Sequence, residues 1–219
     1  MTKNRRAEKR LNRIYRDLFN SFGPQHWWPG ETSFEVCIGA ILTQNTNWQN
    51  VEKAISNLTK EKLLSPRKLH RLPQKRLVQL IHSSGYFNIK AARLKEFLNF
   101  LFDKYGGSLE KMFQEKTQVL RTRLLSVNGI GPETCDSILL YAGNKPIFVI
   151  DTYTKRILLR HKLIKEDATY YDIQELFMEN LSKSAKLYNE YHALLVRLGK
   201  EICLKNKPKC QICPLRKIR

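Results

Sequence analysis

The chain has 219 residues, of which 39 are Lys or Arg and 20 are Asp or Glu, so its formal net charge is +19. Hydrophobic residues make up 42% of the chain, enough to bury a core, which argues against a disordered polyelectrolyte. The longest apolar run, residues 36–42, is far shorter than the roughly 18 residues that a membrane span needs. We therefore expect one folded domain or two small lobes, without a spanning helix.

Most segments of the chain show the three- and four-residue spacing of apolar residues that is typical of amphipathic helices. The first such segment ends at Gly23 and Pro24, and its other face is basic. Nine further helices are predicted over residues 34–42, 48–58, 75–83, 89–105, 116–125, 132–141, 152–160, 170–180 and 185–203. Residues 147–150 form the one short strand-like run. The pattern predicts an all-α fold.

The excess of positive charge indicates a polyanionic partner, because phosphate groups neutralised by Lys or Arg release condensed counterions. Nucleic acid is the first candidate and an anionic membrane surface the second, while a solvated basic surface without a ligand is the alternative. The amino terminus is basic, but no apolar signal segment follows it. We therefore expect a cytoplasmic protein with reduced thiols and no membrane partner.

Residues 125–134, Leu-Ser-Val-Asn-Gly-Ile-Gly-Pro-Glu-Thr, join two of the predicted helices through Gly129 and Gly131. Glycine tolerates a positive φ and lets another backbone come close. Pro132 suits the first position of the second helix, where no amide hydrogen is missed. Unpaired N–H groups at a helix start can hold a phosphate group, so a backbone phosphate site is one interpretation and an ordinary tight turn is the other.

The hairpin, together with Asp151 in the sequence Val-Ile-Asp-Thr-Tyr, resembles the helix-hairpin-helix (HhH-GPD) DNA glycosylases of the endonuclease III superfamily. In that family an essential aspartate follows the hairpin at this spacing. Residues 42–46, Leu-Thr-Gln-Asn-Thr, are similar to the family's Gln-x-Thr segment. Residues 85–91 are similar to its Gly-x-Tyr-Asn-x-Lys-Ala segment, with Phe87 in place of the tyrosine. The similarity spans about residues 30–215 in the family's order.

The resemblance implies a two-lobed all-α fold with the active-site cleft between the lobes. Residues 25–144 would form a six-helix barrel domain that contains the hairpin, and residues 1–24 with 145–219 would form a second helical domain. It also implies a monomeric base-excision-repair glycosylase that acts on double-stranded DNA containing a damaged base. Two alternatives remain: an endonuclease III-like glycosylase for oxidised or mismatched pyrimidines, and a noncatalytic helix-hairpin-helix DNA-binding protein.

The resemblance also assigns roles to single residues. Asp151 would stabilise the positive charge that develops on the sugar as the base departs, although it also looks like the N-cap of the next helix. Gln44 would fill the space that the flipped base leaves, and Tyr86 would wedge the opposite strand, with capping or core packing as the alternative for each. The hairpin residues that would contact DNA are Asn128, Gly129, Gly131 and Thr134.

Glu133 stands where bifunctional members of the family carry the lysine that attacks the sugar as an amine. A carboxylate cannot form an imine, so the covalent lyase route is closed at this position. The resemblance therefore implies a monofunctional glycosylase that leaves an abasic site, with Glu133 at the base pocket.

The aromatic residues Trp27, Trp28 and Trp48 resemble those of the 3-methyladenine glycosylase branch of the superfamily, in which such residues sandwich the flipped base. An N-methylated purine is cationic, and indole faces attract cations by roughly 0.5 to 2 kcal/mol. The expected base pocket therefore contains Trp28 and Trp48, and the expected substrate is an alkylated purine such as 3-methyladenine. Core packing is the alternative for both residues.

Cys203, Cys210 and Cys213 resemble the family's carboxy-terminal loop that holds a [4Fe-4S] cluster, but the fourth cysteine is replaced by Arg219. Four thiolates normally hold such a cluster. The resemblance thus implies a possible cluster with an incomplete cysteine set, a labile cluster or a vestige, and no other cofactor. No histidine follows His192, which disfavours a tetrahedral zinc site. The remaining two cysteines, at positions 37 and 135, are expected in the core.

Overall fold

The computed structural model describes residues 2–218, and their side chains from residue 5 onward. Within this part of the chain all regular secondary structure is helical, so the predicted all-α fold is confirmed. The α-helices are α1 (Thr2–Phe22), α2 (Ser33–Leu42), α3 (Trp48–Lys60), α4 (Pro66–Arg71), α5 (Gln74–Leu80), α6 (Phe87–Tyr105), α7 (Leu109–Gln114), α8 (Thr117–Leu125), α9 (Pro132–Ser137), α10 (Thr152–Arg160), α11 (Tyr170–Asn180) and α12 (Ala185–Glu201). Among the residues described, no helix combines the length and the apolar character that a membrane crossing requires.

The chain divides into two compact units, one formed by residues 28–145 and the other by the residues up to Trp27 with those from Pro146 onward. The boundary predicted from the sequence, residues 25–144, lies within three residues of this division. We call the first the hairpin unit, because it contains α8 and α9, and the second the aspartate unit, because it contains Asp151.

The hairpin unit is built around α2, in which eight of the ten residues are buried: Phe34, Val36, Cys37, Ile38, Gly39, Ala40, Ile41 and Leu42. The Thr32 side chain caps its amino terminus by accepting a hydrogen bond from the Glu35 amide over 3.1 Å. α2 packs against α3, α6 and α9. The unit has eight α-helices where six were predicted, because α4 and α7 are only six residues long and too short to show a period.

In the aspartate unit, α12 packs against α1 and α10, and α1 also packs against α11. Its core is aromatic: the rings of Phe148 and Phe177 stack with centroids 3.9 Å apart, and both meet Tyr191 edge to face. The Tyr191 hydroxyl group donates a hydrogen bond to the Leu11 carbonyl of α1 over 2.8 Å. The strand-like run 147–150 lies in this core as buried extended chain, so its apolar pattern reflects burial and no sheet.

Candidate active site

Asp151 lies at the amino terminus of α10 in an extended conformation, φ −117° and ψ 179°. Its Oδ1 accepts a hydrogen bond from the Thr154 amide over 2.7 Å, so it is the N-cap of the helix. Its Oδ2 lies 3.8 Å from Nε2 of His192, and the carboxylate side chain is only 10% exposed. The capping role expected for Asp151 is therefore present, and it uses only one of the two carboxylate oxygens.

His192 lies on α12 and is buried beside the carboxylate. Burial lowers the pKa of His192 below its usual value of 6.5, and the nearby charge of Asp151 acts in the opposite direction. Near neutral pH the imidazole is therefore neutral. Sequence reasoning missed this pairing, because nothing in the sequence relates a residue on α12 to a cap at the start of α10.

The hairpin joins α8 to α9 through residues 126–131, and Gly129 has a φ of +84°. A Cβ atom at Gly129 would lie 2.3 Å from Cγ of Arg93, so both its backbone conformation and its neighbour require glycine. Gly131 has an extended backbone and open space around its Cα. Asn128 and Gly131 are exposed, so the hairpin backbone is accessible to a ligand.

The Gln44 amide is held inside the hairpin unit. Its Nε2 donates hydrogen bonds to the Gly129 carbonyl over 3.0 Å and to the buried Thr134 Oγ1 over 2.9 Å. The Arg93 guanidinium donates to Gln44 Oε1. The structure thus brings together Gln44, Gly129 and Thr134, which were predicted separately, and adds Arg93. The space-filling role implied for Gln44 stays a prediction, and it would require Gln44 to exchange these hydrogen bonds for contacts with DNA.

Lys90 connects residues 42–46 with residues 85–91, the two segments that are similar to motifs of the glycosylase family. Its side chain is 1% exposed, and Nζ donates hydrogen bonds to the Leu42 carbonyl over 2.8 Å and the Ser84 carbonyl over 2.6 Å. Burial, followed by the nearby charge of Arg93, lowers the pKa of Lys90 to about 8. Through these two hydrogen bonds, Lys90 holds the end of α2 against the turn before α6.

Tyr86 follows that turn at the amino-terminal end of α6 and projects outward. Gly85 and Tyr86 both have positive φ, +66° and +46° respectively. A non-glycine residue in this conformation is uncommon, and it usually reflects a constraint of the surrounding structure. The Tyr86 ring is 67% exposed, and the neighbouring Ile89 side chain is 52% exposed. Such a pair of apolar side chains suits insertion between bases, and the wedge role stays a prediction.

Trp28 and Trp48 form an aromatic cluster with Tyr141, which sequence reasoning missed. The indoles of Trp28 and Trp48 stand edge to face, with centroids 5.2 Å apart and an angle of 87° between the planes. The Tyr141 ring lies 5.2 Å from Trp28 on a tilted plane. A base between two parallel rings needs about 7 Å, so it does not fit between these two indoles as they stand. Tyr141 belongs to a π-helical turn, Ile138–Ala142, a feature frequent at functional sites and invisible to a 3.6-residue period.

A cavity of about 290 Å³ lies beside Trp48 and includes Pro29, Glu35 and Glu52 in its lining. The Trp48 indole Nε1 donates a hydrogen bond to Glu52 Oε1 over 2.6 Å. Lys60 also lines the cavity, which therefore combines an indole with two carboxylates and one ammonium group. The formal charge of this set is negative, which favours a cationic ligand. Glu133 is exposed in the first turn of α9 and does not contribute to this lining.

The cysteine loop offers three thiols but no common centre for them. Cys203 and Cys213 are buried and Cys210 is exposed, and within residues 2–218 no group of three potential ligands converges on a point that could hold a metal ion. Cys203 Sγ instead accepts a hydrogen bond from Arg160 Nη1 over 3.2 Å. The predicted fourth position, Arg219, lies outside the described residues. The described residues do not fit a [4Fe-4S] cluster, because four thiolates normally hold such a cluster and residues 2–218 supply only three thiols in this loop.

Two arginines of α10 hold this loop in place. Arg160 also donates to the carbonyls of Leu204 over 2.7 Å and Lys205 over 2.9 Å. Arg156 donates to the carbonyl of Cys203 over 2.9 Å and that of Gly199 over 2.8 Å. The remaining two cysteines, at positions 37 and 135, are buried in the hairpin unit as predicted, and burial raises their pKa values.

The chain is similar in sequence to known DNA repair proteins. The family model described as HhH-GPD superfamily base excision DNA repair protein matches residues 38–183. A candidate DNA repair glycosylase of Methanocaldococcus jannaschii is 47% identical over 207 residues, which covers 94% of each chain. The endonuclease III of Thermotoga maritima is 29% identical over 207 residues, covering 94% of this chain and 90% of that protein.

Two solved structures are similar in fold. The 3-methyladenine DNA glycosylase MagIII of H. pylori, bound to 1,N6-ethenoadenine, has a TM-score of 0.76 at 28% identity and covers 89% of this chain and 97% of that chain. A non-covalent endonuclease III–DNA complex has a TM-score of 0.81 at 22% identity, covering 100% of this chain and 95% of that one. At that lower identity the second likeness shows the fold alone.

Proposed function

Because the chain belongs to the HhH-GPD superfamily of base excision DNA repair proteins and is a DNA N-glycosylase, we propose that its substrate is an alkylated purine. The lesion would be a base such as 3-methyladenine in double-stranded DNA. The observation that carries this proposal is the cluster of Trp28, Trp48 and Tyr141 with the carboxylates of Glu35 and Glu52 beside it. Likeness to a 3-methyladenine DNA glycosylase at 28% identity supports it.

The charge of the substrate explains why these residue types suit it. An N-methylated purine carries a positive charge, and electron-rich aromatic faces attract cations by roughly 0.5 to 2 kcal/mol, depending on desolvation. The carboxylates of Glu35 and Glu52 beside Trp48 also attract a cationic base. An oxidised pyrimidine is neutral and gains no charge attraction from either group, so these residues favour the alkylated purine.

Asp151 would carry the chemistry. The nucleotide must leave the base stack before its glycosidic bond is accessible, and a damaged base costs less to unstack. As the bond to the base breaks, positive charge develops on the sugar, and a carboxylate stabilises that charge and orients the attacking water. The departing methylated purine becomes neutral when it takes the bonding electrons. A strong acid catalyst is therefore unnecessary, and a single carboxylate suffices.

We also propose that the enzyme is monofunctional. Glu133 occupies the position of the lyase lysine in the first turn of α9, and a carboxylate forms no imine. Lys90 does not replace that lysine, because its amine is buried and donates to two backbone carbonyls. The product would be free base and an intact strand with an abasic site.

The hairpin would grip the DNA backbone at its exposed residues Asn128 and Gly131, and Tyr86 would enter the space between bases. The enzyme would act as a monomer, since the proposed mechanism needs only one hairpin and one carboxylate, and a single chain supplies both. All five cysteines are free thiols, in keeping with a cytoplasmic location.

A second candidate substrate class is oxidised or mismatched pyrimidines, favoured by the 29% identity to an endonuclease III. The two classes are separated by incubating the purified protein with duplexes that carry 3-methyladenine, thymine glycol, a G·T mismatch or an abasic site. We expect free 3-methyladenine without strand cleavage. Release of thymine glycol instead, or cleavage at the abasic site, would contradict the proposal, and binding without any release would indicate a noncatalytic protein.

A further inference from the structure

We infer that His192 is a positioning residue that sets the orientation of the Asp151 carboxylate, and this inference rests on the proposed role of Asp151 in base release. No feature of the sequence predicts it. It follows from the meeting of two buried side chains from α10 and α12 in the aspartate unit.

One carboxylate oxygen of Asp151 is held by a backbone amide, and the other faces His192. Oδ1 is anchored by the Thr154 amide at 2.7 Å, while Oδ2 lies 3.8 Å from His192 Nε2. That separation is longer than a hydrogen bond, whose usual range is about 2.7–3.2 Å. Hydrogen bonds of catalytic groups are often long in the free enzyme and shorten in the complex. A small rotation of the carboxylate about its anchored oxygen would bring Oδ2 within hydrogen-bond distance of His192 Nε2.

The imidazole lies in an apolar environment that keeps it neutral. His192 is 5% exposed, and the Phe148 ring meets it edge to face with centroids 6.4 Å apart. Burial lowers the pKa of His192, against the opposing influence of Asp151. A neutral imidazole can donate one N–H to the carboxylate without cancelling its negative charge. Asp151 thus keeps the charge that the developing sugar cation requires, whereas an arginine or lysine at this position would neutralise it.

Three tyrosines near this pair stay protonated near neutral pH, because burial raises the pKa values of their phenols. Tyr188 and Tyr191 lie on α12 itself, where burial raises the pKa of both phenols. Tyr15 of α1 faces Tyr191, and burial followed by the charge of Glu190 raises the pKa of Tyr15. From α11, the Tyr170 hydroxyl lies 3.4 Å from the Ile150 amide, next to the cap.

This arrangement predicts that the pH profile of base release has an acidic limb, in which the rate falls as the pH decreases. Because the pKa of His192 lies below 6.5, the imidazole becomes cationic only as the pH falls below that value. The cation then neutralises Asp151, so the rate should fall with decreasing pH. A variant without an ionisable group at position 192 should lose this part of the profile.

The first experiment measures single-turnover release of methylated purine and affinity for an uncleavable duplex. We expect His192→Phe to lower the rate about 10- to 100-fold, the range for a slightly misplaced catalytic group, with affinity changed less than about twofold. His192→Gln retains an N–H donor, so its rate should be higher than that of His192→Phe. Because glutamine does not ionise, the pH profile of this variant should lack the acidic limb. Tyr188→Phe, which removes a buried hydroxyl one turn away, is the matched control. Equal rates for His192→Phe and the control would overturn the inference.

The second experiment needs no activity. The imidazole of His192 is titrated by NMR in the wild-type protein and in Asp151→Asn. Loss of the carboxylate should lower the pKa of His192 further, and equal values in the two proteins would overturn the pairing. If the wild-type protein released no methylated purine, the proposed function would fail, while this titration would still decide whether Asp151 and His192 interact.

Discussion

Arg121 and Asp136 form a buried, bidentate ion pair between α8 and α9: Nε donates to Oδ1 over 2.7 Å and Nη2 donates to Oδ2 over 3.0 Å. The pair holds together the two helices that carry the hairpin. Removal of one partner leaves a buried charge uncompensated, so Asp136→Asn should lower the free energy of unfolding by about 3–5 kcal/mol. Urea denaturation measures this. Glu61→Gln, which breaks the exposed pair with Arg76, is the control and should change little.

Asp151→Asn should separate chemistry from binding. The amide retains the shape and the capping oxygen of the carboxylate but carries no charge, so base release should fall about 100- to 1000-fold. Affinity for duplex DNA should stay within about twofold, because phosphate contacts supply most of it. Asp172→Asn alters the capping box of α11 by the same change and serves as control. Release at the wild-type rate by Asp151→Asn would remove this residue from the mechanism.

Trp48 should contribute more to excision of methylated purine than to general DNA binding. Trp48→Ala removes the indole face and should reduce excision about 10-fold, the equivalent of one cation–π contact. Trp48→Phe keeps an aromatic face but loses the hydrogen bond to Glu52, so it should retain most of the activity. Excision and binding of undamaged duplex are measured side by side, and equal losses in both would assign Trp48 a packing role.

Gly129→Ala should disrupt the hairpin for two reasons. Positive φ costs an L-residue roughly 1–2 kcal/mol, and the new Cβ would collide with Arg93. The resulting shift also displaces the carbonyl that binds Gln44. Gly106→Ala, with φ +61° and open space around it, isolates the backbone cost alone. The melting temperature and the DNA affinity should both fall more in Gly129→Ala than in Gly106→Ala. Equal effects of the two substitutions would argue against the Arg93 contact.

The cysteine loop should not depend on a cluster. We expect anaerobically purified protein to lack the visible absorbance of an iron–sulfur centre, and Cys210→Ser to leave thermal stability unchanged. Arg160→Met removes charged hydrogen bonds to Cys203, Leu204 and Lys205, and should cost about 1–3 kcal/mol. Arg216→Met, which loses only a local bond within the loop, is the control. Visible absorbance together with stoichiometric iron would contradict this account.

Much of the hairpin unit was predictable because its signals are local. Gly129 and Pro132 mark the turn through their own backbone preferences, and helices of ten or more residues show their apolar period. The helices α4 and α7 escaped prediction because six residues contain less than two turns, whereas the equally short α9 continues into the π-helical turn Ile138–Ala142. The run at residues 147–150 suggested a strand because burial on all sides produces the same apolar pattern as a sheet core.

By itself the sequence determined the all-α fold, the hairpin and the position of Asp151, because each depends on neighbouring residues or on a motif of fixed spacing. Only the tertiary structure decided which side chains meet: His192 with Asp151, Arg93 with Gln44, Tyr141 with Trp28 and Arg160 with Cys203. These contacts join different helices, and their formation depends on how whole helix faces pack. No short stretch of sequence contains that information.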